Sequence, residues 1–495
     1  MKIEKICIVG GGTSGWLTAA ALVKRLPKIQ VTIVESTDIP TIGVGESTLE
    51  QFRSFLDFIG ISDEDWMAEC DATYKTSIGF QNFLYNDERT VHYPFGPVEL
   101  SDKENGFDDI FALSCFHEEF SDPLSFQKYY NNLTTVAESN KLFDDIVKYT
   151  AYHLDASKFA RWLRDRVCVG AVEHIQDTVE PVVGDNGIDC LVTRGGYAIQ
   201  ADLYIDCTGF KSVLLEQTLG VQFNEFDNLI NNRAVVARVL YENKEEELKN
   251  YTNCYGLSSG WVWTTPLWSR MGMGYVYSDK FLSPEEAEKE FREHINAHPH
   301  DVECRHIEFR HGIHEKAWEK NVVAIGLSYG FLEPLESTGL LSTHEVIKHL
   351  VTVLDRRNGV VGSVDRDSLN TVCKGVMTGM SGFVAAHYYC SHRNDTPYWK
   401  HLTEEKEYEV SDFFLQGGWK TIFTGLPYIA FGAQVLPLGY DKEDMKKDLI
   451  NRYGRYIEKD MNIKKNRWNN RYNDLCRFID RQPTTLDYLR DGIYK

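Results

Sequence analysis

No stretch of about eighteen apolar residues occurs in the chain, so nothing in it reads as a membrane-spanning helix. The apolar run near Met1 is short and leads directly into a glycine turn without a cleavage site, which is not a signal-peptide pattern. There is no Cys-x-x-Cys, and the 11 cysteines are an odd number. Several, such as Cys7 and Cys207, sit in apolar strand patterns. They read as reduced, buried thiols of a cytoplasmic protein. Basic charge is also scarce: 53 Lys and Arg face 73 Asp and Glu, for a net charge of −20. The densest basic run, Lys464-Lys465-Asn466-Arg467, reads as a solvated helix end. Nucleic acid and anionic membranes are therefore disfavoured as partners. The 15 histidines are scattered. Pairs such as His311/His314 and His387/His392 lack metal-ligand spacing, so no metal is expected.

What remains is ordinary globular material, 43% hydrophobic and 25% charged over 495 residues, enough for two or three domains or one large one. No internal repeat or low-complexity segment interrupts it. Lys5-Ile6-Cys7-Ile8-Val9 reads as a buried strand and is followed by Gly10-Gly11-Gly12-Thr13-Ser14-Gly15. Trp16 to Arg25 reads as a helix. Gly10, Gly12 and Gly15 have the G-x-G-x-x-G spacing. In that pattern the first glycine turns the chain, the second admits a pyrophosphate, and the third lets helix pack on strand. Val31-Thr32-Ile33-Val34 is the second strand, and Glu35 ends it at the distance expected of a ribose-binding acid. The whole set predicts a dinucleotide site. Three later features favour FAD over NAD. Thr41-Ile42-Gly43-Val44-Gly45-Glu46-Ser47-Thr48 can lie as a strap across a flavin. Asp202 to Phe210 is a strand ending in Thr-Gly, and residues 322–339 bring the chain back once more.

That last stretch, Val322 to Gly339, reads as a buried strand, a glycine turn and a helix start. Glu333 and Glu336 flank Pro334-Leu335, and Ser337, Thr338 and Gly339 follow. Free amides at a helix start attract anions, so an adjacent glutamate is an odd neighbour. Gly260-Trp261-Val262-Trp263-Thr264-Thr265-Pro266 alternates so that both tryptophans share one strand face. Lys75 lies among aromatic and apolar residues, where composition alone allows a snorkelling surface lysine. Ser283-Pro284-Glu285-Glu286 predicts a capped helix start. Ser342 to Leu354 and Ser368 to Cys390 read as long helices. The aromatics beyond them, among them Tyr388, Tyr398, Trp399 and Trp419, are partly core and partly suited to a flat organic substrate.

In this order the motifs resemble the flavin-dependent halogenases, the tryptophan-halogenase-like family, over nearly the whole chain. Gly-Gly-Gly-Thr-Ser-Gly-Trp at 10–16 matches the family's opening motif, and Ile-Gly-Val-Gly-Glu-Ser-Thr at 42–48 its flavin strap. Lys75 lies where the family carries its essential lysine. Asp-Cys-Thr-Gly-Phe at 206–210 matches an inner strand, and Glu-Pro-Leu-Glu-Ser-Thr-Gly at 333–339 the segment with the essential glutamate and the halide site. The family's Trp-x-Trp-x-Ile-Pro is present with Thr265 in place of isoleucine. No clear match to the amino-acid-binding residues of the tryptophan-specific subgroup is visible. These departures fit a divergent member acting on free indoles, phenols or other small aromatics, a viral-type enzyme of broad tolerance included.

The resemblance implies an α/β fold. Its core would be an FAD-binding Rossmann-like module of the glutathione-reductase/aromatic-hydroxylase type, formed by residues 1–80 and 151–355. An insertion over the site at 81–150 and a mainly helical substrate lobe at 356–495 would complete it. It implies cofactor contacts from Gly10, Gly12, Thr13, Ser14, Gly15, Glu35, Ile42, Gly43, Val44, Gly45, Glu46, Gly326 and Leu327. Thr338 and Gly339 would hold the halide, and Trp261, Trp263 and Pro266 would screen substrate from flavin. FAD would serve as FADH2, and with oxygen and chloride, bromide or iodide would give hypohalous acid. Lys75 would receive it, by hydrogen bonding in preference to haloamine formation. Glu336 would point into the substrate lobe, facing Lys75, to stabilise the cationic arene and take its proton, with Ser337 assisting. The rival readings are an FAD-dependent aromatic monooxygenase and a catalytically silent flavoprotein. The preferred halide, the natural substrate and any homo-oligomeric state are left open. No second dinucleotide fingerprint is visible, so reduced flavin is expected from a separate NAD(P)H-dependent flavin reductase. NADH alone, without a reductase, is expected to give no turnover, as followed by NADH absorbance and product mass.

Overall fold

A computed structural model of the chain describes residues 1–37, 43–96, 113, 115–117, 119, 132–296, 302–389, 391–408, 442–454 and 456–495. Ile42 and the aromatics from Phe413 to Phe431 lie outside the described residues. The apolar run Lys5–Val9 becomes the inner strand of a six-stranded sheet. It pairs in parallel with Gln30–Glu35 on one side and Leu203–Asp206 on the other. Val322–Ala324 and Val172–Gln176 extend the sheet in parallel, and Trp318–Glu319 closes one edge antiparallel. The inner strands are buried on both faces, as a parallel sheet between helices requires. The three chain returns read from the sequence thus lie in neighbouring strands.

A seven-stranded sheet stands beside it, in the order Arg305–Glu308, Arg233–Val239, Met271–Tyr277, Gly260–Pro266, Tyr251–Gly256, Ser77–Gln81 and Thr90–Pro94. The tryptophan strand Gly260–Pro266 is interior, with Trp263 opposite Gly274 and Cys254. Thr90–Pro94 falls within the stretch 81–150, yet it is an edge strand of this sheet, paired antiparallel with Ser77–Gln81. A small sheet of Glu46–Ser47, Ala151–Leu154 and Thr73–Lys75 joins strap and lysine through one shared strand.

Two long helices follow the last parallel strand, Thr338–Arg356 and Ser363–Tyr389. The first packs on Thr13–Arg25 and on the second. Local signals perform as their chemistry demands. Ser283 and Glu286 exchange the reciprocal bonds of a capping box at the start of Pro284–His294. Among the described residues no helix is long and apolar enough to cross a membrane, and no cluster of His, Cys, Asp or Glu suits a metal ion.

Gly10 turns the chain sharply after strand Lys5–Val9. Its φ is +114°, and an added Cβ would lie 2.2 Å from the carbonyl oxygen of Cys207. Gly10→Ala is expected to cost roughly 2–4 kcal/mol and to lower the thermal midpoint together with FAD affinity, read by calorimetry and flavin titration.

Candidate active site

The glycine turn leaves the amides at the start of Thr13–Arg25 without helical partners. A Cβ on Gly12 would meet nothing within 4 Å, so this face is open, whereas one on Gly15 would strike the Gly10 carbonyl oxygen at 1.9 Å. This is the cradle a pyrophosphate needs, and the residues fit FAD there. The hydroxyl of Thr13 donates to Ala156 O at 3.1 Å. That of Ser14 lies against Gly326, where an added Cβ would meet it at 2.4 Å. Both residues thus offer a cofactor mainly their backbone N–H groups. Glu35 stands at the end of its strand, with Oε1 2.7 Å from His174 Nε2. In the strap, the Gly43 carbonyl accepts from Arg238 Nε at 2.8 Å, and Gly45 takes φ +140°. The methyl of Thr265 lies 3.6 Å from where a Gly45 Cβ would stand, so the threonine packs directly under the strap. Leu327 is 36% exposed beside Gly326.

Ser337 precedes helix Thr338–Arg356 in the left-handed region, at φ +56°. That turn presents the first helical amides, and the buried hydroxyl of Thr338 has no partner among the described residues. An unpartnered hydroxyl beside free amides suits a small anion. The Glu46 carboxyl reaches the same place, since a Cβ on Gly339 would lie 2.8 Å from its Oε1. Burial raises the Glu46 pKa to about 7, against the opposing pull of Lys75. The protonated form of Glu46 is thus accessible near neutrality, and in that form it does not repel an anion.

Lys75 is fully buried. Its Nζ donates to Thr48 O at 2.9 Å and to Ser337 Oγ at 2.7 Å, and lies 5.1 Å from the Phe95 ring centre. Burial lowers its pKa to about 7, while Glu336, Cys254 and Glu46 oppose the fall in that order. Both the ammonium and the amine are accessible near neutrality. Hydrogen bonding therefore loses its advantage over haloamine formation.

Glu336 is also fully buried, but the lysine's hydrogen bond goes to Ser337. The glutamate's direct partner is His387, with Nε2 2.6 Å from Oε1. His387 Nδ1 lies 2.8 Å from the Phe383 carbonyl oxygen, which can only accept. Nδ1 therefore donates to that carbonyl, and Nε2 faces the carboxyl oxygen in a short hydrogen bond. Glu336 Oε2 is buried and unpartnered. Phe80 and Phe383 pack on His387 with ring centres 5.0 and 5.1 Å away. Glu336 is among the charges felt by Lys75, and helix Ser363–Tyr389 adds a histidine that takes one of its oxygens.

The tryptophan strand is anchored at the same segment. Trp261 Nε1 donates to Glu333 Oε2 at 2.8 Å, and Asn231 Nδ2 and Tyr388 Oη donate to the same oxygen at 2.8 and 2.7 Å. Burial raises the Glu333 pKa despite these donors. The rings of Trp261 and Trp263 are 6.2 Å apart, and Trp263 covers Gly274. The Pro266 carbonyl accepts from Thr73 Oγ1 at 2.6 Å. Tyr388, Tyr398 and Trp399 are fully buried and hydrogen-bonded, so these aromatics of the helical region are core. Sequence reading missed the partnership of His387 with Glu336 and of Glu333 with Trp261. The glutamate pair around Pro334 was the visible signal for the second. The first had none, because the partners are 51 positions apart.

A flavin-type fold with a buried lysine and glutamate at one helix start defines a flavin-dependent halogenase. The chain belongs to the tryptophan halogenase family, which residues 5–416 match. It is similar to tryptophan 6-halogenase SttH of Streptomyces toxytricini, 38% identical over 425 residues that cover 80% of each chain. It is 34% identical over 436 residues to tryptophan 7-halogenase RebH of Lentzea aerocolonigenes, covering 83% of this chain and 80% of that one. The apo structure of VirX1 superimposes with a TM-score of 0.91 at 38% identity, over 100% of this chain and 99% of that one. The protein is an enzyme of flavin-dependent halogenation.

The buried lysine has a stability signature. Its folded pKa of about 7 lies below the ordinary lysine value of 10.5, so between these values the unfolded chain binds more protons and stability rises with pH. Lys75→Met removes this penalty. Its thermal midpoint is expected to exceed that of the parent most at pH 7, with the gap narrowing toward pH 10. Scanning calorimetry at several pH values checks it.

Proposed function

We propose that the enzyme halogenates a small free aromatic substrate, with Lys75 as the receiver of hypohalous acid and Glu336 as the acceptor of the ring proton. The observation that carries this reading is the burial of Lys75 and Glu336 on either side of Ser337, each with capacity left for a ligand. Gly10, Gly12, Gly15, Glu35 and the strap would hold FAD, which the family uses in reduced form from a separate NAD(P)H-dependent reductase. When bound, reduced FAD supplies hypohalous acid from oxygen and halide. The amides of Thr338 and Gly339 would hold the halide, helped by a protonated Glu46. Trp261 and Trp263, fixed through Glu333, would keep the arene away from the flavin. Lys75 would present the halogen to the ring, by hydrogen bonding as the ammonium or as a haloamine. Glu336 Oε2 would stabilise the cationic ring and then take its proton, with His387 holding the carboxyl in place.

The relatives named above act at two different positions of tryptophan, so they do not choose a carbon for this chain. Thr265 in the tryptophan strand favours a free indole or phenol over a strictly tryptophan-specific site. The unpaired state of every described cysteine supports a reducing, cytoplasmic setting.

A panel of indoles and phenols with a flavin reductase and each halide in competition, read by mass spectrometry, tests the reading. Halide-dependent aryl halides are expected. Lys75→Ala and Glu336→Gln are each expected to lower the rate by at least about a hundredfold while FAD still binds. Hydroxylated products independent of halide would favour a monooxygenase instead.

A further inference from the structure

A line of hydrogen bonds leaves Lys75 through Ser337. Lys75 Nζ donates to Ser337 Oγ, and Ser337 Oγ donates to Ser47 Oγ at 3.0 Å. Ser47 Oγ lies 2.7 Å from Thr252 Oγ1, which lies 2.9 Å from His153 Nε2. His153 Nδ1 lies 3.0 Å from Thr73 Oγ1, and Thr73 donates to the Pro266 carbonyl. Lys75, His153 and Thr73 are fully buried, and Ser337 and Thr252 nearly so. Among the described residues, the hydroxyls of Ser337, Ser47 and Thr252 bond only to other members of this line.

The polarity of the line follows from donor counting. A carbonyl only accepts, so the single hydrogen of Thr73 is spent on Pro266 O. Thr73 Oγ1 must then accept from a hydrogen on His153 Nδ1. Burial, and then the charge of Lys75, hold His153 well below its usual pKa, so it is neutral and its Nε2 accepts. Thr252 therefore donates to Nε2, Ser47 to Thr252, and Ser337 to Ser47. At the far end an ammonium only donates. Every bond points from Lys75 toward His153, with no conflict at any member.

We propose that Ser337, Ser47, Thr252 and His153 form a proton relay through which Lys75 loses and regains one proton during halogenation. This rests on the reading of Lys75 as the receiver of hypohalous acid. In the outward direction Lys75 passes a proton to Ser337 as Ser337 passes its own to Ser47. Ser47 passes its proton to Thr252, and Thr252 to His153 Nε2. Lys75 is left as the amine and His153 as a transient imidazolium, which its burial drives to return the proton, and total charge is unchanged. The amine's electron pair forms an N–halogen bond as the halogen–oxygen bond of hypohalous acid breaks, and the departing oxygen leaves as water with the amine proton. In the return direction His153 gives its proton back along the line to the haloamine nitrogen. The arene then takes the halogen, the N–halogen pair stays on Lys75 as the amine, and the ring proton passes to Glu336. Its transfer to the amine restores the starting state. The charged and titratable groups facing Lys75 are Glu336, Cys254 and Glu46, and His153 faces Lys75 itself.

The test uses Thr252→Val, Thr252→Ser and His153→Gln in the full enzyme with a flavin reductase. Thr252→Val and His153→Gln are expected to lower kcat at least about tenfold, with KM for the arene and FAD affinity unchanged and the pH profile altered. Thr252→Ser is expected to restore both kcat and profile. Nitrogen-15 NMR of histidine-labelled, flavin-free protein is expected to show His153 as the Nδ1–H tautomer. A kcat and pH profile like the parent's in both Thr252→Val and His153→Gln overturns the relay, as does an Nε2–H tautomer. A parent enzyme that makes no aryl halide defeats the proposed function instead, and the NMR result bears on the relay alone.

Discussion

The burial of one ammonium group organises this molecule. A charge removed from water is costly unless polar partners converge on it. Lys75 meets that demand with a carbonyl from the strap and a hydroxyl from the turn before helix Thr338–Arg356. Strap, lysine strand and helix start come from distant parts of the chain, and one side chain ties them together. The tie gathers strap, lysine strand and the turn at Ser337 around a single buried nitrogen. Its cost is the depressed basicity of the lysine, which is also what makes the amine accessible.

The same segment serves two sides because its carboxylates are held differently. Glu333 is saturated on one oxygen by Trp261, Asn231 and Tyr388, which makes it an anchor for the tryptophan strand. Glu336 is held on one oxygen by His387 alone, and both glutamates leave their other oxygen open. Pro334 begins a short helical turn, and Ser337 adopts a left-handed conformation. That backbone path separates the two carboxyls while keeping the helix amides exposed. The glutamate that looked out of place beside an anion-attracting helix start is bonded to His387, and burial raises the pKa of the acid that approaches Gly339, Glu46, to about 7.

Much of the fold was legible because its signals are local. The glycine turn after Lys5–Val9, the acid at Glu35 and the capping box at Ser283 each act within a few residues. The motifs around Lys75 and Glu336 were legible as an ordered set. The lysine's degree of burial was not, since the same aromatic surroundings suit a snorkelling side chain. The aromatics Tyr388, Tyr398 and Trp399 pointed equally to pocket or core, and their hydroxyl and indole groups are spent on internal partners.

The sequence by itself determined the flavin-type sheet and the presence of a lysine, a glutamate and a helix start with halogenase character, because strand periodicity, glycine spacing and capping chemistry are short-range. Only the tertiary structure decided which groups face one another. Ser337 and Ser47 are 290 positions apart, and Thr252 and His153 are 99 apart. Their meeting depends on strand register, since a slip of one residue would turn each hydroxyl to the opposite face. The direction of the hydrogen bonds from Lys75 to His153 follows from that register and from the Pro266 carbonyl at its end, which only accepts.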